Sequence, residues 1–558
     1  MPDVLVNQVA RWAREIPDAP AYTFVDHLGD GSRRTLTWSR ADLRARALAV
    51  RLRELAAPGE RVAILAPQGL AYVVAMLGAM YARLVAVPLF APDLPGHAER
   101  LSRAYADAEP AVVLTTSGAL GGVTAFVGDA GPRVVVLDTV SDLLAEEWEP
   151  EPLAPGDLAY LQYTSGSTRA PAGVEITHGN VSANARQLWE AFRAEPRTSV
   201  AVLWLPLFHD MGLVATVAMP MVGGNQAAFM DPVAFVMRPV RWLRLLGEFD
   251  DVFTGGPNFA YDYTAARVRP EEKEGLDLSG VRVMLNGAEP VRPATIAAFN
   301  AAFAGCGLRP EAHTPAYGLA EATVFVAATG RDEPALVTDF DRDALREGRA
   351  VPHAGTGARS ALVSCGRPTG QRVRIVDATG SALPDGRVGE VWVQGPNVAR
   401  AYWRDPARTA EVFGAVPAAG PGGTWLRTGD LGMRYDGHLY ITGRIKDLII
   451  VDGRNHYPQD IEVTVQEAHP AVRRDHVAAF AVPGEETERL VVVAERSRRG
   501  AAADPVEVAR RVRGAVRKSH DVAVHEFVLT EAGAVPRTTS GKIARRACQR
   551  AYLEGALV

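Results

Sequence analysis

The chain has 558 residues and a mass of 59.7 kDa, room for three or four domains or subdomains at about 150 residues each. Hydrophobic residues at 47% and charged residues at 22% are the balance of an ordinary globular protein and exclude wholesale disorder. The formal net charge of −5 excludes a dominant nucleic-acid or polybasic membrane surface, and three cysteines without metal-ligand spacing (Cys306, Cys365, Cys548) exclude a disulfide framework and fit a reducing cytoplasm.

The first residues carry Asp3, Arg11, Arg14 and Glu15 where a signal peptide needs an apolar run, so no targeting segment is expected. Short apolar runs then alternate with amphipathic stretches. Arg61–Ala66 predicts a strand, Leu70–Arg83 a helix and Leu84–Phe90 a strand, and Ala111–Leu114 and Val134–Leu137 repeat the pattern. Such alternation predicts βαβ units and a largely parallel sheet. A second set, Val200–Leu205, Val252–Thr254 and Val281–Leu285, predicts another sheet-containing half before about residue 330. The uncharged stretches Val62–Ala82 and Met211–Met230 are broken by Pro, Gly, Asn and Gln. They are expected as buried strand plus buried helix rather than membrane spans of about 20 apolar residues.

Beyond Cys365 the texture changes. Arg372–Val376, Gly389–Gln394, Met433–Tyr435 and His438–Ile441 predict antiparallel strands, the last two around the hairpin dipeptide Asp436-Gly437. After Arg444 come strands near Val477–Val482, Leu490–Ala494 and Val524–Leu529, with helices at Pro505–His520 and Ile543–Leu553. The expected division is a large unit over residues 1–443, mostly β from 365, a hinge at 444–446 and an α+β domain over 447–558.

Six segments carry candidate chemistry. Tyr163–Val174 (YTSGSTRAPAGV) follows an apolar strand, and its Thr164, Ser165, Gly166, Ser167 and Thr168 offer N–H and hydroxyl groups to phosphate. In Leu205–Leu213 (LPLFHDMGL), His209 and Asp210 lie just past a strand end, where ligands meet α/β sheets. LNGAEP (Leu285–Pro290) and TPAYGLAEAT (Thr314–Thr323) suit strand-to-helix turns. Glu321 there could hold Mg²⁺ against triphosphate oxygens, or simply favour a helix N-terminus. Asp430, in a tight turn of TGDLG, could accept from sugar hydroxyls beside Arg444; an Asx turn and a surface salt bridge are the alternatives. Finally PRTTSGKIAR (Pro536–Arg545) presents Lys542 next to a glycine. Lys273, Lys446, Lys518 and Lys542 are the only lysines in an arginine-rich chain, so a retained ammonium is worth a functional question.

In order and composition together, these segments resemble the adenylate-forming superfamily over roughly residues 20–555. LPLFHDMGL, GGPNFAYD (Gly255–Asp262), NGAEPVR, PAYGLAEAT, VSCGRP (Val363–Pro368) and GRNHYPQDIE (Gly453–Glu462) are similar to its fatty acyl-AMP ligases. The resemblance implies an α/β fold: a large N-terminal domain of two sheet-and-helix subdomains plus a small β-barrel, and a mobile α+β C-terminal domain. It implies ATP and Mg²⁺ as cofactors, a fatty acid substrate, a phosphopantetheinylated acyl carrier protein as acceptor, and a cytoplasmic setting without nucleic acid or integral membrane segment. Thr164 to Thr168 would hold phosphates, Glu321 with Thr164 the Mg²⁺, and Gly287, Ala288, Glu289, Ala316, Tyr317 and Gly318 the adenine and α-phosphate region. Asp430 and Arg444 would bind ribose, Lys446 would lie near the hinge, Lys542 would reach the α-phosphate and carboxylate, and His209 would wall the acyl tunnel.

One departure stands out: Ala172 occupies a phosphate-loop position where many superfamily members carry Lys. Residues 337–360 correspond to an insertion described for the ligases as hindering use of CoA, or to an ordinary surface loop. The alternatives are an acyl-CoA synthetase, an amino-acid adenylation domain, for which Asp262 is the available amine partner, and a catalytically impaired acyl- or nucleotide-binding relative.

Overall fold

The computed structural model describes residues 4–93, 97–164, 172–419, 422–451, 453–484, 488–500, 502–538 and 542–557. Apolar runs such as Arg61–Ile64, Val85–Pro88 and Val112–Thr115 form neighbouring parallel strands (Val62 opposite Val112, Ala63 opposite Val87). They can be apolar throughout because both faces of the sheet are covered. The sheet has seven strands, in the order Ala401–Tyr402, Gly173–Thr177, Leu158–Tyr163, Val85–Pro88, Arg61–Ile64, Val112–Thr115 and Arg133–Val136.

A nine-stranded sheet runs Arg367–Pro368, Ala327–Ala328, His313–Tyr317, Val281–Asn286, Val252–Gly256, Val200–Leu203, Gln226–Met230, Pro20–Val25 and Arg33–Thr37. The two sheets are not successive halves of the chain, as expected from the spacing. The hairpin Pro20–Thr37 joins the second sheet by pairing Tyr22 with Ala227, and Ala401–Tyr402 crosses back to the first. One continuous apolar core, with Trp38, Leu77, Phe229 and Trp242 fully enclosed, unites both. Val62–Ala82 folds as strand and helix as expected. Met211–Met230 opens instead as helix Asp210–Leu213, a π-helical turn Val214–Ala218 and helix Met219–Gly223 before its strand. Among the described residues no helix is long and apolar enough to cross a membrane.

Arg372–Val376, Gly389–Gln394, Leu426–Tyr435 and His438–Arg444 form a four-stranded antiparallel sheet. Its hairpin carries φ +50 at Asp436 and +74 at Gly437, the two positive values that a tight two-residue turn requires. Residues 337–360 are more ordered than a helix and loop. Strands Val337–Asp341 and Arg359–Val363 pair (Phe340 opposite Ser360) around helix Arg342–Arg346, and Phe340 and Leu345 pack on Met433 and Tyr440.

From Ile449 on, the chain has its own core. Strands Val472–Val482, Arg489–Arg496 and Val524–Thr530 are covered on one face by helix Pro505–His520, whose Val508, Val512 and Val516 recur every four residues and are fully buried. Helix Arg545–Leu553 covers the other face through Cys548.

Candidate active site

The carboxyl ends of strands Leu158–Tyr163, Val200–Leu203, Val252–Gly256, Val281–Asn286 and His313–Tyr317 converge, as ligand sites in α/β sheets do, on a cavity of about 1550 Å³. The C-terminal unit closes it: Asp475, Arg537 and Lys542 share its wall with Thr164, His209, Glu321 and Asp430.

Asp430 lies within a strand, directly opposite Arg444 in the ladder, and not in the tight turn expected from TGDLG. The residue is 5% exposed and both carboxylate oxygens are engaged: Arg444 Nε donates to Oδ1 at 3.0 Å and the Tyr317 hydroxyl to Oδ2 at 2.8 Å. The pair thus joins a buried carboxylate to a half-exposed guanidinium at the cavity wall. The Asp430 charge raises the Arg444 guanidinium further against the opposing effect of burial, and burial followed by the same charge pushes the Tyr317 phenol well up.

After Tyr317 the expected helical continuation is absent; a 3₁₀ turn Ala320–Ala322 leads into the antiparallel strand Ala327–Ala328. This turn is folded so tightly that a Cβ on Gly318 would fall 1.7 Å from the Val324 carbonyl oxygen. It aims Glu321 at the cavity, where Tyr402 donates its hydroxyl to Oε1 at 2.6 Å. On the neighbouring strand end, Ala288 takes φ +71, a strained value for a residue with a Cβ, and a Cβ on Gly287 would lie 3.1 Å from the Ala316 carbonyl. Gly287 and Ala316 thus stand in close apposition on the cavity wall.

His209 Nδ1 lies 2.6 Å from Asp210 Oδ1. Burial raises the Asp210 carboxyl, but the charge and hydrogen bond of His209 and the Lys542 ammonium together hold it below the usual carboxylate range. The segment bearing Lys542 closes on itself: Lys542 N–H donates to Thr538 Oγ1 at 3.2 Å and its carbonyl accepts from Thr538 N–H at 2.9 Å. Burial, then the charge of Arg444, lowers the Lys542 ammonium, while Asp210, Glu289 and Asp430 support it. Burial and Arg444 lower Lys446 as well.

Thr164 N–H donates to the Ala172 carbonyl at 3.2 Å and Thr164 faces the cavity. Ser165, Gly166, Ser167 and Thr168 lie outside the described residues. The other expected residues, His209, Gly287, Ala288, Glu289, Ala316, Tyr317, Gly318, Glu321, Asp430, Arg444, Lys446 and Lys542, all line this one cavity. Met211, Ala215, Phe253 and Phe192 give it apolar lining. Asp262 is unsuited to bind a substrate amine, because Arg292 and Thr295 already donate to its Oδ2 at 2.6 and 2.9 Å.

Several residues that support the site carry no signal in residue spacing. Asn286, fully buried, places Nδ2 3.2 Å from Asn258 Oδ1 and 3.0 Å from His313 Nε2. Burial drops His313 to about 3, so its neutral ring accepts that bond. Asn258 in turn donates to the Pro290 carbonyl at 2.8 Å and accepts from Arg292 N–H, fixing the turn that carries Glu289. Tyr402 and the Arg292 contacts with Asp262 and Asp475 were equally invisible, since their partners are far apart in sequence.

Residues 9–403 match the AMP-binding enzyme family, and residues 446–558 match the AMP domain of Disco-interacting protein 2-like sequences. The long-chain-fatty-acid–AMP ligase FadD32 of Mycolicibacterium smegmatis is 44% identical, over 99% of this chain and 95% of its own. The chain belongs to the AMP-binding enzymes, among the fatty acyl-AMP ligases. A relative within the same family, 4-hydroxyphenylalkanoate adenylyltransferase of Mycobacterium marinum, is 43% identical over 98% of this chain and 91% of its own. Among solved structures, the fatty acyl-adenylate ligase of L. pneumophila in complex with acyl adenylate and pyrophosphate superposes with a TM-score of 0.77 at 35% identity, covering 99% of this chain and 96% of that one. The adenylate-forming fold expected from the motifs is therefore the fold of this family member.

Proposed function

We propose that this AMP-binding enzyme activates a fatty acid with ATP, forming acyl-adenylate and pyrophosphate, and then passes the acyl group to the phosphopantetheine thiol of an acyl carrier protein. The observation that carries the proposal is Lys542. It comes from the C-terminal unit yet shares one partly apolar cavity with Asp430, Arg444 and Glu289. In the first step a carboxylate oxygen bonds to the α-phosphorus while the bond to pyrophosphate breaks. The charge that develops needs fixed cations in a site that excludes water. Lys542 supplies an ammonium there, and Arg444, held by Asp430, a guanidinium whose position does not drift.

Asp430 accepts from the ribose hydroxyls, and the apposed backbone of Gly287–Glu289 and Ala316–Tyr317 clasps the adenine and α-phosphate. Thr164 to Thr168 hold the outer phosphates. Among the described residues no cluster of three or more His, Cys, Asp or Glu could hold a metal. The single carboxylate of Glu321, with one oxygen fixed by Tyr402, fits Mg²⁺, which takes one or two carboxylates plus substrate phosphates. When bound, Mg²⁺ would neutralise phosphate charge. His209, braced by Asp210, walls the acyl chain from the nucleotide.

In the second step the thiol sulfur attacks the acyl carbon and AMP leaves. Lys542 lines the cavity that the thiol has to enter, so in this reading the C-terminal unit turns away first, with 444–446 as its hinge between units 1–443 and 447–558. The 337–360 insertion grips that unit: Arg342 and Arg346 donate at 2.9 and 2.8 Å to the carbonyls of Ser519 and His520, at the negative end of helix Pro505–His520. A restrained turn favours a tethered carrier over free CoA.

The test is product mass after incubation with ATP, Mg²⁺ and dodecanoic acid, with free CoA or loaded carrier protein. Acyl-adenylate that charges the carrier without acyl-CoA is the expected result; abundant acyl-CoA overturns the acceptor, and no adenylate with any chain length overturns the activity. The aromatic lining of the cavity, with Phe192 and Phe253 rings 5.6 Å apart, favours a second reading in which the acyl chain ends in an aryl group. 4-Hydroxyphenylalkanoic acids belong in the same assay.

A further inference from the structure

Strand Val472–Val482 departs from regular pairing between Val472 and Val477, and the irregularity places Asp475 at φ +60. A bulge of this kind re-aims a side chain out of the ladder. Gln466 fixes it by accepting from Asp475 N–H at 2.9 Å. The Asp475 carboxylate then accepts from Arg292 of the large unit, which also donates to Asp262 Oδ2 at 2.6 Å. One guanidinium thus bridges a carboxylate from each unit across the cavity wall. The Asp475 carbonyl accepts in turn from the Arg537 side chain. Arg537 forms a backbone bridge with Ile543, across the turn that bears Lys542. An unbroken series of contacts leads from helix Asn258–Arg267 to Lys542. Arg292, Asp475 and Arg537 are assigned no part in adenylation by the motifs.

We propose that Asp262, Arg292 and Asp475 form an interdomain latch that sets the position of Lys542 for adenylate formation and must open before acyl transfer. The latch rests on the two-step function proposed above. Arg292 and Asp475 are positioning residues, acting through Arg537 on Lys542. Their pairing is charge-assisted and two-sided, so it demands one docking angle between the units. Burial favours neutral Asp262, and Arg292 opposes that; burial also disfavours the Arg292 charge, but Asp475 and Asp262 together raise it. Breaking the latch leaves other contacts between the units in place, including Ser360 to Asp460 at 3.1 Å and the Arg342 and Arg346 bonds to helix Pro505–His520.

The experiment separates the two half-reactions in Asp475→Asn, which keeps shape and removes charge. Adenylate formation, read as pyrophosphate release without a thiol acceptor, is expected to fall about ten- to a hundredfold, the range for a misplaced catalytic group. Transfer from chemically prepared acyl-adenylate to loaded carrier protein is expected to stay at the wild-type rate or rise. Asp475→Glu should recover most of the adenylation, and Arg292→Lys, whose point charge cannot bridge two carboxylates, should repeat the split. Wild-type adenylation in Asp475→Asn, or an equal fall in both half-reactions, overturns the latch. A wild-type chain that forms no adenylate overturns the proposed function itself, a result visible before any variant is made.

Discussion

Lys542 is one of few lysines in a chain that otherwise uses arginine, and its surroundings give that choice a chemical meaning. A compact ammonium fits between Arg444 and the carboxylates of Asp210 and Glu289, where a planar guanidinium would need a different set of partners. Lys542→Ala is expected to reduce adenylate formation by at least about a hundredfold, as loss of one preorganised charge donor does, while a fluorescent ATP analogue still binds. Retained adenylation would remove Lys542 from the chemistry. The sign of the pH effect follows from burial. The lowered ammonium is charged, and active, below its own pKa, and loses its proton as pH rises through that value. The alkaline fall in adenylation is therefore expected at lower pH than the ~10.4 of an ordinary lysine, and a Lys542→Arg chain that retains activity should not show it.

The partnership of Asp430 with Arg444 shows where a sequence-based reading stops at this scale. The turn at Asp436-Gly437 is legible, and counting back from Tyr435 opposite His438 would set Asp430 against Gly443. A one-residue shift between Leu431 and Gly432 moves it opposite Arg444 instead. Such a slip changes which side chains share a face, and nothing in TGDLG announces it.

At the level of elements, the site depends on backbones that approach too closely for side chains. Gly318 is the clearest case, because a methyl group there would overlap the Val324 carbonyl and no rotamer can relieve a clash with backbone. Gly318→Ala is expected to cost about 1–3 kcal/mol of stability, the usual range for overpacking, measurable by urea titration. It should also lower adenylation by displacing the turn that carries Glu321. A chain with unchanged midpoint and activity would mean that the turn opens freely. Helix Pro505–His520, by contrast, was legible from apolar periodicity, since its core follows it: Val508, Val512 and Val516 all face inward. The hairpin strands of 337–360 were not, because their burial alternates weakly and their main apolar contacts, from Phe340 and Leu345 to Met433 and Tyr440, are made with a distant sheet.

For the whole molecule, three buried histidines tie stability to pH. Burial lowers His178 to about 4 and His313 to about 3, and burial together with Arg342, Arg346 and His456 lowers His520 to about 3. All three are neutral in the folded chain at pH 5, whereas the unfolded chain takes up protons below about 6.5. Their contribution is therefore complete above that pH and is lost as pH falls toward 4, at roughly 1.4 kcal/mol per pH unit for each histidine. Urea midpoints between pH 7 and 4.5 should fall on this slope. A His520→Gln chain should lose less, and equal slopes would show that His520 titrates freely. Because His520 lies beside Arg342 and Arg346, acid is expected to loosen their hold on helix Pro505–His520.

Chemistry-bearing residue types, apolar runs and turn dipeptides are local properties; they were enough to set the α/β class and the motifs, and the family followed from what those motifs resemble. The tertiary structure decided the rest: which carboxylate faces which guanidinium, how the sheets exchange strands, and where Asp475 meets Arg292. Those pairings join residues up to 226 positions apart, as Glu175 and Ala401 are. Each depends on a bulge, a strained backbone or a docking angle, features set by packing between elements rather than by the sequence within any one of them.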